Sequence, residues 1–247
     1  MMLRLPRVWR FVARHFAGTR KSIARRYVSK ITSACEFEGI TYPFDTGVMD
    51  GKRLVALAAG SIEAEEIALA KKYLDAGDIV IEFGSGLGIA AVGMHRLVLP
   101  KAHFCFEANP IAVNYSRNLF HINQLQINVD QRALGDGSTS AFYVANDYIL
   151  SSFSKPRETA DFQKIEISTV SLSKIIENIR PTAIFCDIEG AEDKFLLPKD
   201  MQGVAKVIIE LHPGLYGVET VQRIKDRFFA VGFKCVEQMQ DTYCFLR

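Results

Sequence analysis

The sequence predicts an α/β domain on a mainly parallel sheet, closed at its C-terminal end by an antiparallel hairpin strand. Apolar strand-like runs at 79–83, 103–107, 127–133, 182–187 and 205–211 alternate with helical patterns near 87–98, 110–122, 172–179 and 218–230. That rhythm is the one of βαβ units. Several runs end in a carboxylate or a glycine turn, at the edge where open α/β sheets hold ligands. The chain closes on Gly232-Phe-Lys-Cys-Val-Glu-Gln238 and Thr242-Tyr-Cys-Phe-Leu-Arg247, two strand-like runs joined by a short turn over 239–241.

Residues 1–35 read as a basic segment and 36–247 as one domain. Within 1–30, Leu5, Val8, Trp9, Val12 and Phe16 recur at helical spacing, with Arg4, Arg7, Arg10 and Arg14 on the other face. Such a helix suits an anionic membrane surface. Its apolar face would equally pack on the domain or on a second subunit, and an Arg-rich, acid-free leader also resembles a transit peptide. Residues 36–60 read as irregular, with Tyr42-Pro43 and Asp50-Gly51 as turn signals. A helix follows from the N-cap Ser61 to Leu74, and 75–78 turns the chain into the first sheet strand. Residues 138–170 form an insertion with short strands at 141–144 and 165–170.

Charge narrows the partners. Nine Lys/Arg and no acid fall in 1–35, leaving 21 bases against 28 acids in the rest, a net of −7. A nucleic-acid groove in the domain is therefore not expected. The five cysteines are scattered, with no C-x-x-C pair. Cys105, Cys186 and Cys244 lie in apolar runs, where a reduced cysteine acts as a small hydrophobe. This argues against a disulfide framework or zinc site, and for a reducing, cytoplasmic setting with peripheral membrane contact through 1–30. No run approaches the roughly 18 apolar residues of a membrane span.

The chemistry concentrates in three clusters. The first is Val80-Ile-Glu-Phe-Gly-Ser-Gly-Leu-Gly88, followed by Phe104-Cys-Phe-Glu-Ala-Asn-Pro110. A dinucleotide fingerprint would need glycine where Ile89 stands. E-x-G-x-G-x-G is instead the form expected for S-adenosylmethionine in class I methyltransferases. The loop Gly84, Ser85, Gly86 and Gly88 lets backbone approach a ligand, and a helix starting at Leu87 offers free N–H groups to a methionyl carboxylate. Glu82 would receive the neighbouring ammonium. Glu107 has the two acceptor oxygens needed for both ribose hydroxyls and disfavours a 2′-phosphate. Asn109 reaches the same sugar or caps the helix at Pro110. Ala133, after the third strand, falls where the adenine would lie.

The second cluster is Ile184-Phe-Cys-Asp-Ile-Glu-Gly-Ala-Glu192, which puts Asp187 at the fourth strand end with Glu189 and Glu192 close behind. Acids this close raise one another's pKa unless a cation compensates, and a sulfonium cofactor or a divalent metal would do so. No metal ligand set is assigned from the sequence. Glu189 and Glu192 also suit a helix N-terminus. The third cluster, Val207-Ile-Ile-Glu-Leu-His-Pro213, brings Glu210 and His212 to the same rim. His212 would act as a base because an unperturbed imidazole titrates near neutrality. The other histidines have no comparable setting.

With these strings in hand, residues 45–247 resemble the FkbM family of SAM-dependent methyltransferases. Asp187-Ile-Glu-Gly-Ala-Glu192 followed by Ile209-Glu-Leu-His212 carries the resemblance most specifically, beside Glu82-x-Gly-x-Gly-x-Gly88 and Phe106-Glu-Ala-Asn-Pro110. It implies a class I, Rossmann-like fold and O-methylation of a hydroxyl on a sugar, glycolipid or secondary metabolite. The acceptor would be a small molecule or a glycan. The chain departs from the family loop D-x-G-A-N-x-G at Glu82, Ser85 and Gly86, has Ala108 where proline is common, and has Leu172-Ser173 where Leu-Asp is usual. Asp187, Glu189 and His212 are the candidate catalytic residues. The competing readings are a non-catalytic module of the same fold at a membrane surface, and an NAD-linked oxidoreductase, which Ile89 opposes.

Overall fold

In the computed structural model the described residues are 2–4, 34–37, 39–43, 45, 48, 49, 53, 56, 57, 62–145 and 162–247. Their centre is a seven-stranded sheet of order β12-β13-β11-β10-β4-β5-β6. It comprises β4 (Ile79–Phe83), β5 (Ala102–Phe106), β6 (Ile127–Asp130), β10 (Ala183–Cys186), β11 (Lys206–Glu210), β12 (Lys234–Met239) and β13 (Thr242–Leu246). Strands β6, β5, β4, β10 and β11 pair in parallel, whereas β13 is antiparallel to both β11 and β12.

Alternation along the strands sends side chains to two dry faces, as expected of a sheet buried on both sides. Ile81, Phe83, Ile184, Cys186, Val207, Ile209 and Phe245 face α4 (Leu172–Ile179) and α7 (Val218–Ala230). Val80, Ala183, Phe185, Ile208 and Cys244 face α1 (Ala64–Tyr73) and α2 (Ile89–Val98). Helix α3 (Pro110–Ile122) packs beside α2 over Cys105. It begins as its sequence asks: Asn109 Oδ1 accepts from the Ile111 amide at 2.9 Å, with Pro110 in the first turn. The C-terminal hairpin is fastened by Phe245, which stacks on Phe228 with centroids 4.5 Å apart.

Around this core lie β1 (Met2–Arg4), β2 (Ala34–Phe37) and β3 (Ile40–Pro43) in a small sheet, and β7 (Ala133–Leu134), β8 (Thr139–Ala145) and β9 (Phe162–Val170) in another. Two short helices, α5 (Glu192–Phe195) and α6 (Pro213–Tyr216), follow β10 and β11.

Several expectations need correction. Met2–Arg4 pairs with Ala34–Glu36 as a strand instead of entering a helix; the remainder of the proposed helix, residues 5–30, lies outside the described residues. The stretch expected to be irregular contains the β2–β3 hairpin. Helix α1 starts at Ala64 behind Glu63, in a left-handed conformation and without a side-chain cap; Ser61 is not among the described residues. The third strand breaks after Asp130, because Ala133 and Leu134 pair with Thr169 and Val170 of β9. No helix among the described residues is long and apolar enough to cross a membrane.

Candidate active site

Register sets the site. Phe83 aligns with Phe106 and with Cys186, and Cys186 aligns with Ile209. The next residue of each strand, Gly84, Glu107, Asp187 and Glu210, therefore stands in one row along the carboxyl edge of the sheet. Residues from four strands, two pairs of them far apart along the chain, become neighbours there.

Gly84 lets this row close. A Cβ on it would lie 1.6 Å from the Asp187 carbonyl oxygen. Its amide donates to Phe106 O at 2.8 Å, and the Asp187 amide donates to Phe83 O at 3.0 Å. Glu107 is buried and ties the loops together: Oε2 accepts from the Gly86 amide and Oε1 from the Asn109 amide, both at 2.7 Å. Burial raises its carboxyl, while the Asn109, Gly86 and Ala108 amides partly offset this. Each oxygen keeps a second lone pair, so the carboxylate is aimed and still able to accept. Ala133 lies in an apolar cluster against which Ala108 packs, next to the Glu107 loop.

Two sequence assignments change here. Glu82 does not face the rim: its side chain is 1% exposed and lies 2.9 Å from Nε2 of the buried His103. Residue 82 alternates with Phe83 onto the α1–α2 face, so its carboxylate meets the neighbouring strand instead of an ammonium. His103, given no role from the sequence, is its partner. Ser85 is buried, and its hydroxyl lies beside the Cys105 thiol. Helix α2 begins at Ile89 behind Gly88, not at Leu87. Its first turn already has an acid near it: Glu63 is pushed up to about 8 by burial and by Glu82 and Glu66, against the Ala90 amide. Nothing around Glu63 in the sequence marks it, because only the approach of α1 to α2 brings it there.

The second half of the site surrounds His212. Its Nε2 is 3.4 Å from Asp187 Oδ1 and 3.4 Å from Glu189 Oε2, and its Nδ1 is 3.4 Å from Glu192 Oε1. Glu192, fully buried, bends back so that Oε1 accepts from the Ile188 and Gly190 amides. Glu189 at φ 52 and Gly190 at φ 101 make that reversal. The His212 amide donates to Tyr216 Oη at 2.8 Å, which anchors the ring's backbone. Burial disfavours the imidazolium, yet Glu192, Asp187 and Glu189 together raise His212 to about 9. The three carboxylates thus favour the protonated ring. Burial, followed by Glu210 and Glu189, pushes the Asp187 carboxyl well up.

These features suit a cationic, ribose-bearing ligand. An aimed carboxylate stands at the second strand end, and partly buried acids crowd the fourth and fifth. Asp187 Oδ1 has no hydrogen-bond partner, and no lysine or arginine among the described residues pairs with Asp187, Glu189 or Glu210. S-adenosylmethionine carries a sulfonium, an ammonium and two ribose hydroxyls, so the residues present fit it.

Strand order and site together define a class I, Rossmann-like methyltransferase that uses S-adenosylmethionine. The chain belongs to the FkbM methyltransferase family: the family model described as "Methyltransferase FkbM domain" matches residues 89–235. Among solved structures it is similar to a methyltransferase from Pyrococcus furiosus, at 11% identity and TM-score 0.48, covering 92% of this chain and 96% of that one. A putative RNA methyltransferase from Pyrococcus horikoshii gives 16% and 0.47, covering 94% and 98%. M. jannaschii TYW2 in complex with AdoMet gives 13% and 0.45, covering 87% and 84%. No curated protein matches the chain significantly.

Proposed function

We propose that this methyltransferase acts on oxygen, methylating a hydroxyl of a sugar, glycolipid or secondary metabolite. The convergence of Asp187, Glu189 and His212 beside the glycine loop carries this reading. Glu107 would hold the ribose hydroxyls, and the backbone at Gly84 and Gly86 would lie along the cofactor. When bound, S-adenosylmethionine supplies an electrophilic methyl group: the acceptor oxygen bonds to it as the S–CH3 bond breaks, leaving a neutral thioether.

The chain's own part is positioning. Asp187 and Glu189 stand where an approaching hydroxyl can donate to them, which aligns its oxygen lone pair and gives its proton a destination. His212, with Glu192 3.4 Å from Nδ1 and Asp187 and Glu189 each 3.4 Å from Nε2, stands among these carboxylates. Leu211 belongs to the apolar cluster of the adjoining core, and Ile188 packs against it.

The test is a melting titration with S-adenosylhomocysteine, NAD and NADP in parallel, followed by labelled-methyl transfer to hydroxylated acceptors. Ligand at about a hundred times its Kd adds about 2.7 kcal/mol, which for this chain length raises Tm by roughly 5–10 °C. A shift with S-adenosylhomocysteine alone, with transfer to an alcohol that Asp187→Asn abolishes, supports the reading. Transfer only to nitrogen or carbon acceptors, or a shift with NAD, overturns it.

A further inference from the structure

We propose that Asp187, Glu210 and His212 form a divalent-cation site at the acceptor end of the pocket, which captures substrates through two adjacent oxygens. This rests on the methyltransferase reading above and extends it to a resident ion and an acceptor class.

The geometry comes first. One ligand atom from each of the three residues lies within 4.8 Å of the other two. They come from the ends of two adjacent parallel strands, β10 and β11, so the sheet itself sets their spacing. Two carboxylates and an imidazole are a hard-to-borderline donor set, suited to Mn2+, Mg2+ or Zn2+. Three protein ligands leave open positions in an octahedral shell for substrate oxygens.

Behind the ligands is a supporting layer. A metal-bound histidine ordinarily presents its other ring nitrogen to a carboxylate, which sets ring orientation and basicity. Glu192 is in that position, fully buried with Oε1 3.4 Å from His212 Nδ1. Its Oε2 has no hydrogen-bond partner, nor has Asp187 Oδ1, and both atoms are shielded from solvent. Buried oxygens without hydrogen bonds, one of them only ion-paired with the imidazole, are stabilised by a cation placed beside them. A divalent ion would bind the neutral ring at Nε2.

Position gives the consequence. The ion would stand beside Asp187, whose backbone touches Gly84 of the cofactor loop, so an oxygen bound to it would lie next to that loop. Metal coordination lowers a hydroxyl's pKa and fixes its direction, and a second oxygen on the acceptor completes a chelate. Vicinal diols and α-hydroxy acids therefore fit better than isolated alcohols.

The experiment is a Mn2+ titration of the full chain after chelator treatment, read by electron paramagnetic resonance, with S-adenosylhomocysteine melting shifts measured on the same samples. Stoichiometric binding is expected, with 14N coupling from an imidazole in pulsed spectra. Glu210→Gln and His212→Gln should weaken it at least about tenfold, and Glu192→Gln about tenfold through the ring. The 14N coupling needs no variant, so it decides the matter even if a substitution prevents folding. No stoichiometric binding, no 14N coupling, or competition between Mn2+ and S-adenosylhomocysteine overturns the ion site. An intact S-adenosylhomocysteine shift in that case leaves the methyltransferase reading standing. Mn2+ binding with no such shift supports the ion site and sinks the cofactor assignment instead.

Discussion

Gly84 and Asp187 meet backbone to backbone: the space a Cβ would take at Gly84 is filled by the Asp187 carbonyl oxygen, 1.6 Å away. The two residues are far apart in sequence and adjacent in the sheet, so the cofactor loop and the acidic cluster form one unit. Gly84 also has φ +78, where an L side chain is strained. Gly84→Ala should cost at least about 2 kcal/mol and abolish S-adenosylhomocysteine binding. Gly137→Ala separates strain from collision, since Gly137 has φ +94 but open space around it; about 1 kcal/mol is expected there. Urea unfolding of both variants makes the comparison, and equal losses would show that the contact with Asp187 does not matter.

Glu107 has two tasks that one substitution set can divide. Glu107→Gln keeps one acceptor oxygen but loses charge, and should weaken S-adenosylhomocysteine by about 1.5–3 kcal/mol, the range for a charged hydrogen bond. Glu107→Ala also releases the Gly86 and Asn109 amides and should lower stability by a further 1–3 kcal/mol or so. Calorimetric binding beside urea unfolding reads both. Unchanged affinity in Glu107→Ala would remove Glu107 from the pocket.

At the opposite edge of the sheet, Lys206 lies 2.8 Å from Asp78, whose other oxygen accepts from Thr182 Oγ1 at 2.7 Å. Burial works against the Asp78 carboxylate, but Lys206, Thr182 and the Asp75 amide outweigh it and hold the group below its ordinary value of 3.8. A depressed carboxyl stabilises the fold fully above its unfolded pKa, and loses that effect as pH falls through the folded value. Stability should therefore decline below about pH 4. Asp78→Asn should flatten that acid limb, and Lys206→Met should cost about 3 kcal/mol near neutrality by stranding the buried acid. Unfolding free energies measured from pH 7 downward check the sign.

Phe228 is the anchor of the C-terminal hairpin, fully buried between Phe245 and Phe233. Phe228→Ala should cost about 3–5 kcal/mol. Its neighbour Phe229 is 44% exposed, and Phe229→Ala should cost under about 1 kcal/mol. Similar losses at the two positions would mean that α7 does not seat as described.

Periodicity made the sheet legible in advance. Strands and helices 110–122, 172–179 and 218–230 follow from alternation, caps and turn residues that act within a few positions of one another. Boundaries moved where a distant strand competed, as when β9 captured Ala133 and Leu134. Site residues followed the same division. Glu107, Asp187, Glu189 and His212 were visible because each ends an apolar run, and strand ends are where the sheet exposes function. Glu63 was not, since no local pattern marks a helix-end carboxylate that packs on another helix.

Glu82 and His212 show the limit most plainly. The sequence by itself determined the fold class, the glycine loop and the acids at the sheet's edge, because these depend on short-range periodicity and residue type. Only the tertiary structure decided what those acids do. Side-chain direction turned Glu82 to His103 within the sheet, and the fold surrounded His212 with three carboxylates that favour its protonated form. Electrostatic character comes from neighbours a few ångströms away in space, and the strands that supply them lie far apart along the chain.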